Sequence, residues 1–306
     1  MSLIIMNRIA VMLAYMIPGF ILYKKRIVTD EGAKDIGKLL IYIILPAAIV
    51  NSYNIEYSRE KAAGLLISFL AAAAALALSV ILSRLFFGGK MPIEGFGAAF
   101  SNAGFMGIPL ISSVIGAEAV YYAAAFVAIL NILQWTYGVY LITGNKTAVS
   151  VKKKLLNLVI ISFVIGVIIL FLPVKLPVFI SEILGTLSQM NAPIAMLTVG
   201  FYLAQISFKE LFTDKYGYGV SAVRLLVIPL LTAILLAFLP LGDNTLRLTV
   251  LILAAAPVGS NVAVYAQIHG GDYKRAVREI VLSTLLSVIT MPLVIGISER
   301  ILQNIP

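Results

Sequence analysis

The sequence predicts an all-α integral membrane protein of ten transmembrane helices. They form two inverted five-helix halves that meet where helices four and nine are broken and cross. Three observations predict this. Of the 306 residues, 61% are hydrophobic and 12% charged, and the mean hydropathy is +1.02, a balance foreign to soluble domains of this length. Ten long stretches lack any charge or histidine. Two of them, at 101–110 (SNAGFMGIPL) and 254–261 (AAAPVGSN), are interrupted by glycine, proline and asparagine at matching places in the two halves.

The neutral stretches run over 9–23, 39–55, 62–83, 95–117, 119–145, 155–174, 183–208, 225–242, 248–268 and 280–298. Most approach the roughly 20 residues that a helix needs to cross about 30 Å of hydrocarbon. The first, second and eighth are short, but Arg8, Lys38 and Arg224 at their edges can snorkel or face a polar interior. No separate signal peptide is expected, since the first stretch lacks an A-x-A site and runs into Lys24, Lys25 and Arg26.

Lysine and arginine set the orientation. Connections from odd to even helices carry sixteen of them, among them Lys24, Lys34, Lys90, Lys152, Lys209 and Arg275. The other side, termini included, carries six. The odd-to-even loops therefore face the cytoplasm and both termini lie outside. The net charge of +9 is thus a topology signal, and its spread over five loops argues against a nucleic-acid surface. The chain has no cysteine, which removes disulfide and thiolate chemistry and fits a bacterial cytoplasmic membrane.

The polar run 143–154 divides the chain into a first five-helix repeat, 1–142, a cytoplasmic linker, and a second repeat, 155–306. Five is odd, so the second repeat enters the bilayer from the opposite face. Pro46 and Pro193 lie 147 positions apart, and Pro109 and Pro257 lie 148 apart, which suggests one register for both pairs. Broken backbone survives in a membrane only where protein or a wet cavity satisfies it, and paired breaks mark a transporter's substrate site. The expected substrate-binding set is Ser101, Asn102, Gly104, Gly107, Pro109, Pro257, Gly259, Ser260 and Asn261, with Asn51 on the facing wall and Arg224 as a cationic candidate. Half-helix N-termini suit an anion, the amides add hydrogen bonds, and the glycines allow close approach. Helix packing is the alternative use of the small residues, and snorkelling that of Arg224.

The runs NAGFMGIPL, NAPIAMLTVGFYLAQ, RLLVIPLL and VLSTLLSVITMPLVIGI resemble the auxin efflux carrier family, whose members include plant auxin exporters and bacterial carboxylate permeases. The resemblance implies a scaffold of helices 1, 2, 6 and 7, a transport domain of helices 3–5 and 8–10, an elevator-type movement and a homodimer. By motif, Asn102 takes the family's crossover asparagine, Pro109 the GIPL proline and Pro257 the proline of helix nine. Asn157 matches an asparagine opening helix six, although Leu158 stands where the family has proline.

A carrier for a small organic anion follows, either an auxin-like acid or a dicarboxylate, with no cofactor or metal. Glu94, Glu118, Glu182, Glu279 and Glu299 all fall near helix ends, so uniport or exchange is expected rather than proton coupling. A sodium-coupled carrier of the bile-acid type and a ligand-binding membrane sensor are the alternatives. An enzyme is not expected, because H-E-x-x-H and G-x-S-x-G are missing and the chain has one histidine.

Overall fold

The computed structural model describes residues 2–144, 158–172, 176–242 and 244–304. Most of the expected linker 143–154, and Asn157, lie outside these residues. Among the described residues every extended element is helical. The first half comprises α1 (Ser2–Ala14), α2 (Met16–Lys24), α3 (Asp30–Leu39), α4 (Leu45–Ser52), α5 (Arg59–Phe87), α6 (Pro92–Ala99), α7 (Ile108–Val114), α8 (Val120–Leu133) and α9 (Val139–Thr143). Next come α10 (Leu158–Phe171), α11 (Val178–Gln189), α12 (Asn191–Gln205) and α13 (Phe208–Thr213). The chain ends with α14 (Lys215–Ala222), α15 (Ile228–Phe238), α16 (Asn244–Ala255), α17 (Asn261–His269) and α18 (Tyr273–Asn304). Among the described residues five helical runs are long and apolar enough to cross a bilayer: Leu3–Lys24, Arg59–Phe87, Val120–Thr143, Lys215–Phe238 and Tyr273–Leu302.

Proline explains most of the interruptions. Wide π turns at Leu40–Ile44, Ala103–Gly107 and Val223–Val227 are each followed two residues later by a proline, Pro46, Pro109 and Pro229. A proline ring has no N–H to donate and presses on the carbonyl four residues earlier, so the backbone opens by one residue to relieve it. A fourth π turn, Gln134–Gly138, contains no proline; Gly138 there packs directly on the Phe96 ring of α6.

Burial is arranged for a lipid surround. The outward face of α5 shows Leu66, Leu70, Ile81 and Leu85, the last 75% exposed, while Ser68, Ser79 and Ser83 turn inward. On α18, Ile289, Leu293 and Ile297 form an exposed apolar stripe, whereas Ser283, Thr284 and Ser287 are buried. Exposed apolar faces, with the few serines and threonines of these helices turned into an otherwise apolar interior, suit a hydrocarbon surround. The interior is closely packed: Gly19 of α2 meets the Leu197 carbonyl of α12, and Gly200 of α12 meets the Met16 carbonyl, so these two helices touch backbone to backbone. Helix α4 lies against both α10 and α11, and α18 packs on α1, α14, α15 and α17.

Candidate functional site

The two breaks meet. Ser101 and Val258 form an antiparallel bridge, in which the Asn102 N–H donates to the Pro257 carbonyl at 2.7 Å and the Gly259 N–H donates to the Phe100 carbonyl at 2.9 Å. A β-carbon on Gly259 would stand 3.0 Å from the Ser101 carbonyl oxygen, so glycine permits this approach. The Val258 N–H is taken by Ser283 Oγ of α18 at 3.1 Å. The bridge joins Asn102 to Pro257 and Phe100 to Gly259 about the central pair Ser101 and Val258, and the helices entering the two breaks end at Ala99 and Ala255, 156 positions apart. The 148-position match of Pro109 with Pro257 is therefore not the register of the breaks. Pro257 lies in the pairing itself, while Pro109 lies in α7, beyond the π turn. The connection from α12 to α14, nine residues against six between α4 and α5, accounts for three residues of that difference.

The meeting point is electrically polarised. Helices α6 and α16 end at it with their C-terminal carbonyls, the negative ends of their dipoles. Arg224, 1% exposed, lies among these ends: Nη1 donates to the Ala98 and Ala99 carbonyls at 3.0 and 3.2 Å, and Nη2 donates to the Ala254 carbonyl. A guanidinium satisfies both ends at once and neutralises them. On the other side, the segment Ala103–Val114 and α17 begin, offering positive ends.

Around those beginnings lies a cavity of about 10 Å³, room for about one water, lined among others by Ser101, Asn102, Gly104, Gly259, Ser260, Asn261, Asn131 and Gln134. Asn261 Nδ2 donates to Gln134 Oε1 at 2.9 Å, and Asn191 Nδ2 of α12 donates to the Gly104 carbonyl at 2.9 Å, freed by the π turn. Asn102 Nδ2, Gln134 Nε2 and Ser101 Oγ are buried without a hydrogen-bond partner. Six of the residues expected from the sequence thus come together here, while Pro257 supplies backbone to the bridge. Gly107 faces Leu253, where a β-carbon would stand 2.6 Å from the side chain. Arg224 occupies the opposite, carbonyl side.

Asn51 and Pro109 line a second cavity, of about 440 Å³, with Ser52, Ser112, Ser113 and Gln189. A third, of about 330 Å³, is lined by Lys34, Lys38, Tyr202, Gln205, Gln267 and Tyr273. Along the run from α3 to α4, residues 30–42 border the third cavity, Leu45 the central one and residues 48–55 the second, so the central cavity stands between two larger ones.

Four residues matter more here than their place in the sequence suggests. In the sequence Asn131 and Gln134 are only polar groups inside an apolar run; the π turn carrying Gln134 aims it at the breaks. Glu94 and Glu279, near helix ends by position, are 1% and 0% exposed. Position along a helix does not reveal which face turns inward, and both carboxyls turn inward.

Over residues 4–154 and 143–295 the chain matches the family model described as membrane transport protein. A protein of Rhizobium meliloti (strain 1021), provisionally named a malonate transporter, is 28% identical over 208 residues, or 65% of this chain. The match spans 64% of that relative, a little under two thirds of its length. An uncharacterised transporter of Methanothermobacter thermautotrophicus is 26% identical over 283 residues, covering 90% of this chain and 92% of the relative. The family match extends over nearly all of the helices just described, both breaks included, and the chain belongs to the auxin efflux carrier family of membrane transport proteins.

Proposed function

We propose that this integral membrane protein is a secondary carrier of a small organic anion, a dicarboxylate of the malonate class, held at the meeting of the two breaks. One observation carries this reading. Asn102 Nδ2, Gln134 Nε2 and Ser101 Oγ are left without partners beside two helix beginnings, on the positive side of a junction whose negative side Arg224 neutralises. Donors without acceptors, next to positive helix ends, fit a carboxylate.

The remaining features follow from the same reading. The elements make ten passes as two inverted five-helix repeats, with both termini outside a bacterial cytoplasmic membrane. Contacts of α2 with α12 and of α4 with α10 and α11 favour a fixed scaffold, against which the helices bearing the breaks slide. In this conformation the central cavity has room for about one water and must widen to admit the anion, and the 330 and 440 Å³ cavities are the routes to either side. Transport then proceeds by an elevator-type alternation, in a homodimer, with Asn51 and Pro109 lining the outward route.

The test is flux of labelled malonate and of indole-3-acetate into proteoliposomes, with and without sodium and an imposed potential. Asn102→Ala is expected to weaken apparent affinity about five- to tenfold, the worth of one hydrogen bond, with thermal stability equal to or above that of the wild type. Wild-type affinity in that variant would remove Asn102 from the site. Strict sodium dependence would favour the sodium-coupled alternative.

A further inference from the structure

Two carboxyl groups are buried where α18 crosses α6, away from the central cavity. Glu94 Oε1 accepts from Arg275 Nη1 at 2.7 Å, while its Oε2 has no partner. Glu279, one turn beyond Arg275, is fully buried, and neither of its carboxyl oxygens has a hydrogen-bond partner. It reaches so near α6 that a β-carbon on Gly97 would stand 2.5 Å from Oε2.

The charges acting on Glu279 are Glu94 of α6 and Asp214 at the start of α14, of like sign, and Arg275 and Arg278 of its own helix, of opposite sign. Both cations are engaged elsewhere, Arg275 on Glu94 and Arg278 Nε on Asp214 Oδ2 at 3.0 Å. Arg224, in the π turn that also packs on α18, has Nη1 and Nη2 on carbonyls. Helices α12 and α15, also packed on α18, carry no charged residue. An ionised carboxylate without donors in such a place is far costlier than the neutral acid, which needs only room. Gly97 supplies the room.

We propose that Glu279 is a proton-binding site of this carrier, loaded in the conformation described here and coupled to anion binding at the breaks. The inference rests on the carrier reading above. Gly97 precedes Asn102 by five residues across the break, two steps helical and three extended, so the two lie at most about 13 Å apart along the chain. Two negative charges at that order of distance, in protein surroundings, repel enough to change an affinity on the order of tenfold. Anion and proton therefore favour each other's binding, reciprocally. The proton enters from water at the start of α18, rests on a Glu279 carboxyl oxygen and returns to water when α6 and α18 are exposed on the other side. No covalent step is involved.

The experiment compares wild type with Glu279→Gln, in which the amide stands for the neutral acid. Malonate is the probe, at mildly acidic and at alkaline pH. Wild-type affinity is expected to fall about tenfold at alkaline pH, beyond the change caused by malonate's own titration, whereas Glu279→Gln keeps the tight value. Identical pH dependence in the two proteins would overturn the proposal while leaving the carrier reading intact. If Glu279→Gln does not fold, proton uptake by the wild type on malonate binding at alkaline pH, where Glu279 starts ionised, followed with a pH-sensitive dye, decides. A proton taken up supports the site, and none overturns it. If the wild type binds no carboxylate at all, the carrier reading fails, and thermal unfolding tests Glu279 alone. The variant should match wild type in acid and exceed it in alkali, and parallel profiles would refute proton binding.

Discussion

Replacing Arg224 with methionine tests whether this cation holds the broken helices or holds the substrate. In the structure its Nη1 and Nη2 make three hydrogen bonds to the Ala98, Ala99 and Ala254 carbonyls, from a side chain 1% exposed. Three charge-assisted bonds at about 1.5–3 kcal/mol each set an upper range of about 4–9 kcal/mol. Removing the buried charge returns part of this, because its own desolvation is lifted, and removal of one partner from a buried ionic arrangement typically costs about 3–5 kcal/mol net. At about 2 °C per kcal/mol, the lower end appropriate to a long chain, the unfolding midpoint falls by about 6–10 °C. Arg224→Lys keeps the charge but loses the fork that spans two helix ends, and should fall about half as far. The assay is thermal unfolding of the purified proteins in detergent, read by size-exclusion fluorescence, alongside malonate affinity of the folded fraction. Arg224→Met is expected to bind malonate within about twofold of wild type once folded, since the cation faces the carbonyl side of the junction. A variant that melts with the wild type but has lost its affinity would refute the assignment and place Arg224 on the substrate.

Asn191→Ala removes the 2.9 Å bond to the Gly104 carbonyl, which on the present reading ties the scaffold to the moving half and must open in every cycle. The variant should lose about 1–2 kcal/mol of stability and change maximal flux more than affinity; a pure affinity change would contradict that role. Cysteines introduced into this cysteine-free chain report its orientation. Arg59→Cys should react with an impermeant maleimide in intact cells and Lys90→Cys only after permeabilisation, and the reverse pattern would invert the topology.

The breaks were legible because glycine, proline and asparagine in an apolar run have few other uses, and Asn102 and Asn261 were legible with them. The π turns before Pro46, Pro109 and Pro229 follow from the same residues by the steric demand of the ring. What escaped depends on rotation and on distant partners. Arg224 is a polar residue in an apolar run whichever way it points, and only the three-dimensional arrangement shows its donors on helix ends that are 125 or 126 residues earlier and 30 residues later in the chain. Glu94 and Glu279 lie near helix ends in sequence, where a carboxylate is ordinarily solvated, yet their helix faces turn inward. The proline spacing does not carry over to the breaks for a simpler reason: corresponding elements and connections of the two halves differ in length, so matching prolines need not mark matching positions.

A broken helix in hydrocarbon must account for every backbone group it frees, and here the principal ones can be followed. The bridge takes the N–H of Asn102 and of Gly259, Ser283 takes that of Val258, Asn191 covers the Gly104 carbonyl, and Arg224 covers those of Ala98, Ala99 and Ala254. The backbone is thus provided for by groups set around it, several of them from distant helices. The open donors are side chains: Asn102 Nδ2, Gln134 Nε2 and Ser101 Oγ. Each buried polar group left unsatisfied costs about 1–3 kcal/mol, a penalty that alanine at the same positions would avoid without loss of close packing. A junction needed only for helix packing has no use for those amides. One that receives a carboxylate does, because the ligand's oxygens supply the missing acceptors and the helix beginnings add their positive ends.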